Sequence, residues 1–170
     1  MAYIALFSVI ICVCSWISIP MTVPFTLQTF AIFCALLILG GKHGTTAIVL
    51  YVLMGLVGLP VFAGFRSGAA ALAGPTGGYI LGFILCGLFY WLFEKRVKAR
   101  WFLLAIGNII CYIFGTAWFV YVYTGSGKMI TFGAALMMCV VPYIVPDAVK
   151  LVLSALVSKK ITSMLKLQLT

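Results

Sequence analysis

Acidic side chains are almost absent: Asp and Glu together number 2 among 170 residues, against 11 Lys and Arg and 1 His, and charged residues make up only 8%. A soluble domain with so few charges and 65% hydrophobic residues has too little polar surface to cover itself. Each further absence removes a class of function. The single histidine, His43, stands beside Lys42 and reads as a turn residue; no HExxH, Ser/His/Asp set or carboxylate pair accompanies it, so an intramembrane hydrolase is poorly supported. No Gly-Lys-Ser/Thr follows GPTGG (74–78), so the chain carries no phosphate loop and no ATP site of its own. The six cysteines (Cys12, Cys14, Cys34, Cys86, Cys111, Cys139) lie inside apolar stretches without a CxxC pair, which argues against a metal or redox site and for buried free thiols.

What remains is apolar sequence, with a mean hydropathy of +1.27. A hydrocarbon core about 30 Å thick takes roughly 20 helical residues, leaving room for about six spans. Residues 1–170 are therefore expected to form one integral membrane domain. The net charge of +9 does not point to nucleic acid, because the cations fall in the gaps between apolar runs and act as topology signals. The first run, YIALFSVIICVCSWISI, has no basic leader and no A-x-A site, and reads as a retained helix rather than a signal peptide.

Proline and glycine punctuate the spans. Helix is expected over about Tyr3 to Ile19, ended by Pro20 and Pro24, with PMTVPFTLQ as an ordered connector. Two short helices follow, Thr26 to Leu39 and Thr45 to Leu59, separated by Gly40-Gly41. The segment PVFAGFRSGAAALAGPT (60–76) is too broken for a span and too apolar for a solvated loop; such backbone survives at membrane depth only where protein or a cavity surrounds it. Further helices are expected at Gly77 to Phe93 and Trp101 to Tyr123, then a short broken piece at Met129 to Met138 and a last helix from Cys139. With both termini on one side, that side holds Lys42, Lys95, Arg96, Lys98, Arg100, Lys159, Lys160 and Lys166, and the other holds Arg66 and Lys128. The positive-inside rule then places both termini in the cytoplasm.

Asp147 and Lys150, in YIVPDAVK, are the outstanding anomaly. An ionised side chain at mid-helix costs about 2.5–3.5 kcal/mol even on insertion scales. Three residues apart, they share a helix face, either as a self-neutralising pair or as part of a polar cavity. Pro142 and Pro146 free backbone carbonyls there and are expected to kink the outer end of the helix. Of 17 glycines, nine fall between Gly55 and Gly87, and Gly74, Gly78 and Gly82 recur every fourth residue; close backbone approach and helix packing both fit. Arg66 presents a guanidinium fork inside this region, suited either to a carboxylate or to solvent. Gln28 and Thr26, and Asn108 with Tyr112, are placed to line the same cavity, or in the case of Asn108 to bridge helices. Tyr79, Phe62 and Phe65 are candidates for apolar walls.

These segments resemble a known family. IPMTVPFTLQT (19–29), GLPVFAGFRSGAAALAGPTGGYILGF (58–83) and VPDAVK (145–150) are similar to the signature segments of BioY, the biotin-binding S-component of energy-coupling factor (ECF) transporters. The resemblance implies an all-α membrane protein of six transmembrane helices with a substrate cavity near the outer face, in a bacterial or archaeal cell membrane. It implies biotin as ligand, no cofactor and no enzymatic activity in this chain, and as partners a transmembrane coupling protein and two cytoplasmic ATPase subunits that use ATP. By the same resemblance Asp147 accepts from the ureido N–H groups, and Lys150 donates to the ureido oxygen or holds Asp147 ionised. Tyr79, Phe62 and the Gly77/Gly78 backbone wall the ring, and Arg66 or Gln28 meets the valerate tail. The Ala-x-x-x-Ala stripe by which S-components dock the coupling protein is interrupted, since Val9 stands four residues after Ala5; a small-residue face through Ala2, Ala5, Ser8 and Cys12 is the expected substitute. The competing readings are another vitamin on the same scaffold, a lipid-modifying enzyme with Asp147 as acid/base, and a channel.

Overall fold

The computed structural model describes residues 1–127 and 129–167, the last three by backbone alone. Lys128, residues 168–170 and the Lys166 side chain lie outside the described residues. Helix α1 (Ala2–Trp16) stops short of the expected Ile19. Its exit residues instead form a strand, β1 (Ser18–Ile19), which pairs antiparallel with β2 (Phe25–Thr26). The β-branched isoleucines and the two prolines of the connector favour this extended path over another helical turn.

Helix α2 (Gln28–Leu56) is interrupted at Gly40, whose φ of 78° and ψ of 172° no helix accommodates. A methyl on Gly44 would lie 2.9 Å from the Ala35 carbonyl oxygen and 2.9 Å from Leu36 Cα, whereas a continuous helix would hold such residues roughly 12 Å apart along its axis. The chain therefore folds back at Gly40 into two limbs, 28–39 and 41–56, as the Gly-Gly pair predicts. Glu94, the second acidic residue, secures this turn: its Oε2 accepts the Gly41 N–H at 2.7 Å, which caps the second limb and places the negative charge at its dipole-positive end.

The 58–76 segment contains a 3₁₀ turn (Ala63–Phe65) and the short helix α3 (Gly68–Ala73). Its positive φ angles at Gly58, Gly64 and Gly68 explain the glycine density in part. Helices α4 (Gly77–Phe93) and α5 (Arg100–Gly125) follow, and then α6 (Phe132–Cys139) and α7 (Val141–Leu167). The break at Val140 divides the last region much as expected. Pro142 and Pro146 both lie in the first turns of α7, which continues past them as one helix.

The α2 limbs form the centre, against α1, α4 and α7, and α5 packs chiefly on α4. Residues Ile32, Phe33, Leu36, Ile48 and Tyr51 of α2 are fully buried, whereas Val149, Val152, Leu153 and Leu156 of α7 are exposed, the arrangement of a helix bundle whose solvent is lipid. Arg100–Gly125 and Val141–Met164 are long and apolar enough to cross a membrane as single helices, Gln28–Leu56 reaches that length only when its two limbs are counted together, and Ala2–Trp16 and Gly77–Phe93 are shorter apolar helices. Glycine makes the α4–α5 contact close: a Cβ on Gly82 would meet Cys111 Sγ at 2.8 Å, and one on Gly107 would meet Cys86 Sγ at 2.7 Å.

Candidate functional site

Asp147 and Lys150 lie one turn apart on α7, each with only 5% of its surface exposed. Lys150 Nζ is 2.8 Å from Asp147 Oδ1. The helix spacing that puts them on one face also turns that face toward the entry to α2, where Thr29 joins them. Its hydroxyl donates to Asp147 Oδ1 at 3.1 Å and accepts from Lys150 Nζ at 3.1 Å. Lys150 also donates to the Thr26 carbonyl oxygen of β2 at 2.7 Å, and its ammonium sits 4.1 Å from the centre of the Phe25 ring. Tyr112 of α5 donates its hydroxyl to Asp147 Oδ2. Four elements thus converge on one ion pair, which removes the unpaired-charge penalty that burial would impose.

A cavity of about 50 Å³ adjoins this cluster, lined on its polar side by Thr26, Thr29, Asn108, Tyr112, Asp147 and Lys150. A second, of about 60 Å³, is lined by Gln28, Phe62, Ala63, Arg66 and Thr76 among others. Val23, Pro24, Thr26, Tyr79 and Phe83 border both, so the two are lobes on either side of one wall. Tyr79 is fixed there by a 2.9 Å hydrogen bond between its hydroxyl and Thr116 Oγ1. The Gln28 side chain is 4% exposed and borders this lobe, with the buried Tyr51 hydroxyl beside it as a hydrogen-bonding neighbour. Arg66 is exposed; its Nε donates to the Ala63 carbonyl at 3.1 Å.

The sequence matches the BioY family over residues 1–167. The chain belongs to the BioY family. It is 41% identical over 160 residues to the biotin transporter BioY of Thermotoga maritima, covering 92% of this chain and 91% of that one. It is 35% identical over 159 residues to the probable biotin transporter BioY of Pyrococcus horikoshii, covering 93% of each. Its fold is similar, with a TM-score of 0.83 and 24% identity, to the crystal structure of the S-component for biotin from an ECF-type ABC transporter, covering 95% of this chain and 89% of that one.

Within this BioY-family chain the expected residues divide. Asp147, Lys150, Asn108 and Tyr79 border one lobe, and Tyr79, Arg66, Gln28 and Phe62 the other. Gly77 and Gly78 border neither. A Cβ on Gly77 would overlap the Leu72 carbonyl, and one on Gly78 would lie 2.2 Å from Trp118 Cβ, so these glycines seat α4 against its neighbours. Phe65 is 62% exposed and stacks on Trp16 at 5.2 Å, away from both lobes. On α1, Ala2 and Ala5 are exposed but Ser8 is fully buried, donating to the Ile4 and Ala47 carbonyls at 2.9 Å. Ser8 and the buried Cys12 face the bundle, so the expected outward stripe ends at Ala5. Thr29, Thr116, Phe25 and Tyr143 escaped the sequence reading. Tyr143, whose hydroxyl donates to the Val23 carbonyl, holds the 20–24 connector over the site. Its spacing from Asp147, one turn earlier on the same helix, was the available signal.

Proposed function

We propose that this chain is the biotin-binding subunit of an ECF-type importer, with the ureido ring at Asp147 and the valerate tail toward Arg66 and Gln28. The observation that carries the reading is the hydrogen-bond inventory of Asp147. A carboxylate accepts about four hydrogen bonds; Thr29 and Lys150 take Oδ1 and Tyr112 takes one position on Oδ2. One acceptor position stays open, which suits a ureido N–H. Lys150 differs. Its three N–H donors are matched by Asp147, Thr29 and Thr26, so its role is to hold the Asp147 side chain in place rather than to await a ligand oxygen. Asn108, on the same lobe, carries both a donor and an acceptor for the rest of the ureido group.

The second lobe suits the tail. Arg66 supplies a fork of donors for a carboxylate, and Gln28 Nε2 a neutral one. Phe62, Tyr79 and Phe83 line the path between with apolar surface for the thioether ring and the methylenes. At about 60 and 50 Å³ each lobe has the size of a few water molecules, so a ligand enters by displacing the 18–26 hairpin and the 60–76 segment.

The proposed topology has six crossings: α1, the two limbs of α2, α4, α5 and α7. The basic end of the bundle, with Lys42, Lys95, Arg96, Lys98, Arg100, Lys159 and Lys160, then faces the cytoplasm with both termini, and the lobes lie near the outer face. Energy would come from a membrane coupling protein and two ATPase subunits. BioY relatives are named as transporters, and the role proposed here is binding without chemistry.

Calorimetric titration of the detergent-purified protein with biotin tests this reading, beside Asp147→Asn and Lys150→Ala. Tight binding that both variants lose supports the assignment. Full binding in both would confine the pair to a structural role, and no binding by folded wild-type protein would transfer the scaffold to another vitamin.

A further inference from the structure

A recess of about 500 Å³ opens at the basic end of the bundle, far from the two lobes, between the start of α5 and the last turns of α7. Lys98, Arg100 and Lys159 line it together with Thr162, Ser163 and Ser158, and Leu37, Trp101 and Ala155 supply its apolar part. No carboxylate is among these residues. Glu94 is engaged by the Gly41 N–H instead. The first turn of α5 has no side-chain cap, so its dipole adds to the positive potential. Ser158 is 5% exposed and, among the described residues, its hydroxyl meets only the neighbouring Cys34 thiol. Cations and hydroxyls therefore surround one opening whose floor is hydrocarbon.

We propose that this recess binds the phosphate headgroup of an anionic phospholipid, with the glycerol and first methylenes against Trp101, Leu37 and Ala155. The mixture of surfaces selects a lipid. A free anion would use the cations and hydroxyls and leave the apolar floor wet, whereas an amphiphile covers both. The 57% exposed Trp101 ring has the amphipathic character that favours the headgroup level, and basic pockets between membrane helices are suited to such headgroups.

The test is native mass spectrometry of the full chain released from nanodiscs of mixed phosphatidylglycerol and phosphatidylcholine. Wild-type protein should retain phosphatidylglycerol in preference to phosphatidylcholine. Each cation near the surface contributes about fivefold, so the Arg100→Gln/Lys159→Gln variant should retain it about 30-fold more weakly. Lys95→Gln/Arg96→Gln removes the same charge from the same end outside the recess and should leave retention unchanged. Circular dichroism and monodisperse elution establish folding, with Lys98→Gln as a milder variant. Equal retention of both lipids, or equal loss in both double variants, would overturn the proposal. So would binding of inorganic phosphate, read by phosphorus NMR in pure phosphatidylcholine nanodiscs and weakened by Arg100→Gln/Lys159→Gln, since that result would make the recess a free-anion site.

Discussion

Lys150 Nζ lies 2.8 Å from Asp147 Oδ1, and the two are joined a second time through Thr29 Oγ1, which donates to the carboxylate and accepts from the ammonium. A hydroxyl in both roles completes the pair without adding charge.

Thr29→Val removes that link while nearly conserving shape. Leaving buried polar groups one partner short costs about 1–3 kcal/mol, so biotin affinity should fall on the order of tenfold and Thr29→Ser should largely restore it. Titration of the three proteins decides; unchanged affinity in Thr29→Val would separate Thr29 from the site.

Glu94→Ala should lower stability by about 1 kcal/mol through loss of the cap on the second limb of α2. Because Glu94 sits at the opposite end from Asp147, biotin affinity should stay as it was. Thermal unfolding in detergent with and without biotin separates the two effects.

Gly115→Ala puts a methyl 2.3 Å from Tyr79 Cδ1, so Tyr79 must leave Thr116 or the helices must part. Overpacking of this kind costs about 1–3 kcal/mol, and here it should weaken biotin binding as well. The contrasting variant is Gly133→Ala in α6, where nothing lies within 4 Å; it should raise stability by about 0.5–1 kcal/mol. Matching losses from both would remove the steric explanation.

The tail assignment is tested with two ligands. Wild-type protein should bind biotin more tightly than biotin methyl ester, and Arg66→Ala should bring the two affinities together. An unaltered ratio would move the carboxylate away from Arg66.

Local chemistry made much of the fold legible. Gly40-Gly41 marked the fold-back inside α2, the α6–α7 break fell near its expected place, and the cost of an ionised pair in an apolar helix exposed Asp147 and Lys150. Contacts between distant segments were not legible. Thr29 is separated from Asp147 by 118 positions, and nothing local distinguishes it from Thr26 or Thr45. The pairing of 18–19 with 25–26 spans too few residues to leave an alternating pattern. Gly77 and Gly78 carry the same letter whether a glycine admits a ligand or a neighbouring helix, and only the positions of Leu72 and Trp118 decide. Ser8 reads as one more small residue on α1 until its hydroxyl is seen to donate a hydrogen bond to the Ala47 carbonyl.

The attachment of Lys150 to the Thr26 carbonyl makes one ammonium both the counter-ion of the site and a pin in its roof. Its donors are fully subscribed, so any newcomer that draws a hydrogen bond from it must first evict Thr29, Asp147 or Thr26. Eviction of Thr26 loosens the hairpin; the other two disturb the carboxylate. The carboxylate and the hairpin are therefore tied together at a single nitrogen, so that a displacement of either is felt by the other.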